Sequence, residues 1–173
     1  VGSHNAEEIL NKIPAVTVTH MRPTYFYYNL YFFIQQIRTE GVITANYGAD
    51  KIVLVSPLDI AAAVAEELVS TPGRNTVRYV ASDEHTGSDI ARILGEAIGK
   101  PGLTWTVTTD EQMRQRYEAI GASPRNAKGL VDMLASLRNG LMGEDYNRHQ
   151  PATLGKVKLT DFAREFAGVY GQN

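Results

Sequence analysis

His20-Met21-Arg22-Pro23-Thr24-Tyr25-Phe26-Tyr27-Tyr28-Asn29-Leu30-Tyr31-Phe32-Phe33 gathers seven of the chain's fifteen aromatic residues into nine positions. The run before it, Val16-Thr17-Val18-Thr19, is β-branched, and Ala15 to Thr19 reads as a strand. Pro23 lacks the N–H that a central strand must donate, so the strand is expected to stop before it. A basic residue, a proline and an aromatic cluster therefore sit where a strand ends. In open α/β sheets, ligands bind beyond the carboxyl ends of strands, which makes this corner the first candidate site. The aromatic stretch itself reads as a helix. Burial of its aromatic faces in a core, with no chemistry attached, accounts for the same pattern.

With 173 residues the chain has the length of one domain and can bury a real core, so 1–173 reads as a single unit. Its longest apolar stretch ends at Ile34-Gln35-Gln36-Ile37-Arg38, well short of the ~20 residues of a membrane span, so no membrane partner is expected. A formal net charge of −2, with acids and bases interspersed, argues against a nucleic-acid partner held through phosphates. The lack of cysteine excludes disulfides, thiolate metal sites and a cysteine nucleophile. It fits a reducing compartment, and nothing near Val1 resembles a signal peptide, so a cytoplasmic location is expected.

Ala6 to Ile13 reads as a short helix before Pro14. Val42 to Tyr47 and Lys51 to Val55 flank Gly48-Ala49-Asp50, the pattern of a hairpin. Ser56-Pro57-Leu58-Asp59 opens a helix, with Ser56 as N-cap, Pro57 at the first helical position and Asp59 at the positive end. Its continuation, Ile60 to Val69, is apolar on nearly every side until Glu66-Glu67, which predicts a largely buried helix. Thr71-Pro72-Gly73 then leads into a strand from Thr76 to Ala81. Thr86 caps a helix with Ile90, Ile93, Leu94, Ala97 and Ile98 on one face. Leu103 to Thr108 is a third strand of this kind, and Thr109 with Gln112 has the spacing of a capping box. That helix carries Met113, Tyr117 and Ile120; one opened by Ser123-Pro124 turns Leu130, Val131, Leu134 and Leu137 inward. Gly140 to Gly155 reads as irregular, and Asp161 to Tyr170 as a closing helix. Alternating helices and strands with short turns define an α/β sheet.

The missing motifs are as informative. No glycine-rich dinucleotide loop or P-loop occurs; Gly99…Gly102 and Gly140…Gly143 lack the strand-then-helix order a phosphate cradle requires. Tyr47-Gly48-Ala49-Asp50-Lys51 has the Tyr-x-x-x-Lys spacing of a short-chain dehydrogenase pair. That chemistry needs both side chains on one helix face, and glycine and aspartate between two strand-like runs make a turn instead. Asp83-Glu84-His85 reads as a solvated loop rather than a metal site, because three adjacent side chains diverge, and no metal is expected. Asp59 is explained by helix capping. Glu144-Asp145-Tyr146-Asn147-Arg148-His149 is either a loop that closes over a ligand or an ordinary polar connection.

Several short pieces, in order, carry a resemblance: Ala6-Glu7-Glu8-Ile9-Leu10, Arg22-Pro23-x-x-Phe26-x-x-Asn29-Leu30, Val55-Ser56-Pro57-Leu58-Asp59-Ile60-Ala61, Val77-Arg78-Tyr79-Val80-Ala81, and Thr153-Leu154-Gly155-x-x-x-Leu159-x-Asp161-Phe162. Together they resemble the C-terminal half of the NmrA-like branch of atypical short-chain dehydrogenases/reductases, which includes NAD(P)H:quinone and azo- or triphenylmethane-dye reductases. The resemblance implies the last strands of a Rossmann-like sheet plus a small α+β substrate lobe, with the N-terminal nucleotide-binding strands absent. It implies an NAD(P)H-dependent oxidoreductase as the full-length parent, and no cofactor bound or turned over by this chain alone. Pro23, Thr24 and Tyr25 would then lie near the nicotinamide. Phe26, Tyr28, Tyr31 and Phe32 would wall a pocket for a flat aromatic acceptor such as a quinone or dye. Some members carry a lysine before the first helix's Glu-Glu; Gly2, Ser3 and His4 stand there, so no catalytic residue is carried over. The rival implication is a nucleotide-sensing regulator that binds a protein partner without turnover. Partners would be the missing N-terminal half or a second copy; a third reading is a natural stand-alone domain, whose unpaired sheet edge would need covering by a second copy or a partner chain.

Overall fold

A computed structural model describes residues 2–70, 74–138 and 141–172. The predicted Thr71-Pro72-Gly73 turn and Gly140 lie outside the described residues. Helix α1 (Gly2–Leu10) is followed by β1 (Thr19–Pro23), β2 (Tyr25–Phe26), a 3-10 helix (Tyr27–Phe33) and α2 (Ile34–Glu40). Next come β3 (Val42–Ala45), β4 (Ile52–Val55) and α3 (Pro57–Leu68). Then follow β5 (Thr76–Val80), β6 (Asp83–His85), α4 (Gly87–Ala97) and β7 (Thr104–Val107). Four helices close the chain: α5 (Asp110–Ala119), α6 (Pro124–Arg138), α7 (Leu141–Arg148) and α8 (Leu159–Gly171).

The first strand is set by its partner rather than by propensity. It runs from Thr19 to Pro23, not from Ala15 to Thr19, because β1 pairs in parallel with β5 from Thr19↔Thr76 to Pro23↔Val80. Residues 15–18 lie outside it, and Ala15 takes a left-handed φ of 59°. Pro23 is tolerated as the last strand residue. Beyond it the chain changes partner: Thr24 bonds Val80 O, and β2 pairs in parallel with β4.

The expected hairpin does not form. β3 pairs in parallel with β7, and β4 lies between β2 and the antiparallel β6. Burial explains the misreading: three of four residues in each of β3 and β4 are buried, the near-continuous pattern of covered parallel strands rather than of a half-solvated hairpin. Gly48 still turns the chain with φ 103°, and Trp105 sits over it; a Cβ there would meet Trp105 Nε1 at 2.5 Å. Trp105 Nε1 also donates to Tyr47 O at 2.8 Å. Asp83-Glu84-His85 is β6 itself and not a solvated loop.

The capped helix starts at Ser56, Thr86 and Thr109 are where they were expected, whereas α1 begins at Gly2 rather than Ala6 and α8 at Leu159 rather than Asp161. Ser56, Thr86 and Thr109 each accept a backbone N–H as N-cap, the last two in complete capping boxes. Ile90, Ile93 and Leu94 of α4 face the core with Phe162 and Phe166 of α8. Val131 and Leu134 are buried as expected, whereas Leu130 and Ile120 are exposed. Helix α3 is not largely buried: Ala63 packs with Val55 and Val80, but Leu68 and Val69 remain exposed because only one layer covers this helix. Gly140 to Gly155 is not wholly irregular, since it contains α7.

Asp59 stands in the first turn of α3, but Ser56 is the cap and the Asp59 carboxylate bonds elsewhere. Only 9% exposed, it accepts the Ser82 hydroxyl at 2.6 Å and the backbone N–H groups of Lys156 and Val157 at 3.0 and 3.1 Å. This carboxylate thereby pins the 155–157 segment to the sheet. Gly155 is required at the contact, where a Cβ would lie 2.3 Å from Asp59 Oδ2. Asp59→Ala strands these donors and is expected to cost about 2–3 kcal/mol in urea unfolding. Gly155→Ala should lower the midpoint as well. Unchanged midpoints in both would show that the segment is held by something else.

Candidate functional site

The corner that ends β1 opens onto a cleft of about 580 Å³. It is lined by the consecutive run Met21 to Tyr25 and by Lys51, Ile52 and Val53 at the start of β4. Tyr79 on β5 and Leu137 on α6 add apolar surface, and Asp145 and Tyr146 on α7 reach over it. Parallel register brings the first of these together, since Arg22 on β1 stands opposite Tyr79 on β5.

A charged latch closes one end. Arg22 pairs with Glu7 of α1 at 2.5 Å and with Asp145 of α7. Tyr79 Oη donates to the same Asp145 carboxylate at 2.7 Å, and the Tyr79 ring meets that of Tyr146 edge-on at 5.4 Å. Hydrogen bonding to Glu7 holds the Arg22 guanidinium firmly protonated. The Tyr79 hydroxyl and the neighbouring Arg22 and His149 hold the Asp145 carboxyl below the usual aspartate range. Burial, then the bond to Asp145, pushes the Tyr79 phenol up.

The floor is neutral and firmly bonded. Thr24 donates both its N–H and its hydroxyl to Val80 O, at 3.1 and 3.3 Å. The Tyr25 and Tyr47 hydroxyls lie 2.8 Å apart, and burial pushes the Tyr25 phenol up to about 12 and that of Tyr47 well above its ordinary value. Both stay protonated at neutral pH.

Of the expected site residues, Pro23, Thr24 and Tyr25 are brought together in the cleft wall. Phe26, Tyr28, Tyr31 and Phe32 fall outside its lining. Tyr31 stacks on Phe166 at 5.7 Å and donates to Glu165, Tyr28 stacks on Tyr31, and Phe32 is 84% exposed. Tyr27, between them, is buried and stacks on Phe162 at 5.2 Å. Glu7, Tyr79 and Leu137 were not singled out from the sequence. Period-two alternation puts Arg22 and Tyr79 on equivalent faces of two strands, a signal usable only once the β1–β5 pairing is known. The segment 144–149, left open between a ligand-covering loop and a polar connection, is mostly helix α7 and carries two cleft residues. Tyr47 and Lys51 are not on a helix, as expected, but the segment between them is irregular chain and not the expected hairpin turn.

A dinucleotide's phosphates need helix N-terminal amides that no side chain has already taken. The N-termini of α3, α4 and α5 already give amides to Ser56, Thr86 and Thr109. Among the described residues no strand–glycine loop–helix cradle for a pyrophosphate is formed. No group of three or more His, Asp or Glu is placed to hold a metal, and no helix is long and apolar enough to cross a membrane, among the described residues.

No protein-family model matches the sequence, and no curated protein matches it. Solved structures do. An NADPH-dependent quinone oxidoreductase from Escherichia coli superposes with a TM-score of 0.75 at 18% identity, over 95% of this chain and 60% of that one. The triphenylmethane reductase of Citrobacter sp., solved with NADP(H), gives 0.70 at 18% identity over 96% and 58%. A nucleoside-diphosphate-sugar epimerase from Staphylococcus aureus gives 0.72 at 16% identity over 93% and 56%. At such identities the likeness is one of fold. The chain has the fold of the C-terminal part of NmrA-like, Rossmann-type proteins, and spans less than two thirds of the length of these neighbours.

The Asp145 latch yields a pH test. Its folded-state value is depressed, so its contribution is complete above the ordinary aspartate value of about 4 and is lost as pH falls through the lower folded value. With the Asp145 side chain two-fifths exposed, Asp145→Asn should cost no more than ~1 kcal/mol at neutral pH. The difference between variant and parent in thermal midpoint should shrink toward zero below that pH. A difference independent of pH would mean that charge plays no part in the latch.

Proposed function

We propose that this chain is the substrate-binding half of an NAD(P)H-dependent oxidoreductase that reduces a flat, apolar acceptor such as a quinone or dye. One observation carries the reading. The strand-end corner Pro23-Thr24-Tyr25, where open α/β sheets take their ligands, forms a wall of a cleft whose other surfaces are largely aromatic and aliphatic. Names of two structural neighbours, a quinone oxidoreductase and a triphenylmethane reductase, support the acceptor class. In this reading Pro23, Thr24 and Tyr25 lie where nicotinamide and acceptor meet. Arg22 and Asp145 hold α7 across the opening, and the apolar walls exclude water. The cofactor's phosphates are held by a nucleotide-binding half outside these residues, and the same half covers the free edge of β1.

The test is NADPH-dependent reduction of a naphthoquinone or a triphenylmethane dye. A polypeptide joining this chain to a glycine-rich nucleotide-binding half should turn over, and the 173 residues alone should not. Different affinities for oxidised and reduced nucleotide, with no acceptor reduced, would establish the regulator in place of the enzyme.

A further inference from the structure

A second cavity, of about 520 Å³, runs along the edge of β5 that β1 does not use. Five consecutive residues, Val77 to Ala81, line it, and no residue of β1 does. Side chains alternate between the faces of a strand, so a consecutive lining marks an edge rather than a face. Hydrogen bonds fix which groups point there. The Thr76 N–H donates to Val18 O and Val80 O accepts from the Thr24 N–H, so the even residues of β5 face β1. Ala81 O accepts from the Gly155 N–H on the other side. By the same alternation the N–H and C=O groups of Val77 and Tyr79 point away from β1, and among the described residues they have no partner.

We propose that this edge takes up an extended peptide segment of a partner protein by strand addition to β5. The cavity has the shape of a slot. Helix α3 forms one side with Ala62, Ala63 and Glu66, and a strap of residues 149–156 forms the other. A second copy of β5 does not fit, because two edges each recessed between a helix and a strap cannot close to the ~4.8 Å of paired strands. A single strand of five residues matches the wall from Val77 to Ala81. Small Ala62 and Ala63 leave room for its side chains on one side, and Pro151 and Leu154 offer apolar contact on the other. The two ends differ in charge. Near Val77, Glu66 and Glu67 share the Arg78 guanidinium, which leaves one negative charge over. Near Ala81, the Lys156 ammonium has no ion pair among the described residues, and Lys158 brings a second ammonium onto Gly155 O. Asp59 at this end is turned inward, to the Ser82 hydroxyl and the amides of residues 156 and 157. Antiparallel pairing, the commoner arrangement, therefore selects a segment that begins with an acid, ends with a base and is apolar between. Tyr79 is the one described residue lining both slot and cleft, so the inference stands apart from the acceptor reading.

The test titrates the isotope-labelled chain with acetyl-Glu-Val-Thr-Val-Lys-amide and follows backbone amide shifts. Changes should centre on residues 77–81, with Ala62, Ala63 and Leu154. N-methylation of the peptide's threonine, whose N–H meets Tyr79 O in this pairing, should weaken binding about tenfold, the worth of one hydrogen bond. N-methylation of its first valine, whose N–H points away from β5, should leave binding unchanged. The charge-reversed peptide acetyl-Lys-Val-Thr-Val-Glu-amide should bind about threefold more weakly, and Lys156→Glu should erase that difference. Shifts centred elsewhere, a tolerated threonine methyl, equal binding of the two charge patterns, or no shift at millimolar peptide overturns the inference. Shifts at residues 77–81 that follow protein concentration without peptide overturn it too, and give the slot to a second copy.

Discussion

One carbonyl oxygen, that of Val80, organises the site. It accepts both the N–H and the hydroxyl of Thr24 at the point where the chain stops pairing with β5 and starts pairing with β4. Proline precedes this change of partner and has no N–H to give. Thr24's two bonds fix the backbone at this crossing. With them, Arg22 is aimed toward α1 and α7, Tyr25 toward Tyr47, and Tyr27 down onto Phe162. The cleft wall and the core contact of the aromatic segment are consequences of the same crossing.

The aromatic segment therefore divides its work. Tyr27 and Leu30 are core, Tyr31 packs along α8 with its hydroxyl on Glu165, and Tyr25 faces the cleft. The choice between a buried aromatic helix and a ligand wall was too coarse, because residues of one segment divide between the core and the cleft lining. Apolar periodicity reveals that such side chains are buried or paired; it does not reveal against what.

Local chemistry was legible and pairing was not. The caps at Ser56, Thr86 and Thr109 follow from side chains within three residues of the amides they satisfy, so a short window suffices to find them. The false hairpin at 42–55 arose because the two runs are adjacent in sequence, whereas their partners, β7 and β2, are set by topology. The same limit hid Tyr79, whose closeness to Arg22 exists only through the β1–β5 register, and the partner of Asp145, which is Arg22, 123 positions away in the chain. Asp59 read as a helix cap because its actual task, holding the amides of residues 156 and 157, is equally remote.

The central claim is that the acceptor lodges in the cleft at the end of β1. Backbone amide shifts of the isotope-labelled chain, followed during titration with menadione, test it directly. The account predicts changes confined to Met21, Arg22, Thr24 and Tyr25, with Ile52, Val53, Tyr79 and Tyr146. Changes centred instead on Tyr28, Tyr31 and Phe32, with the cleft residues unmoved, would contradict it and move the acceptor to the outer aromatic face beside α8.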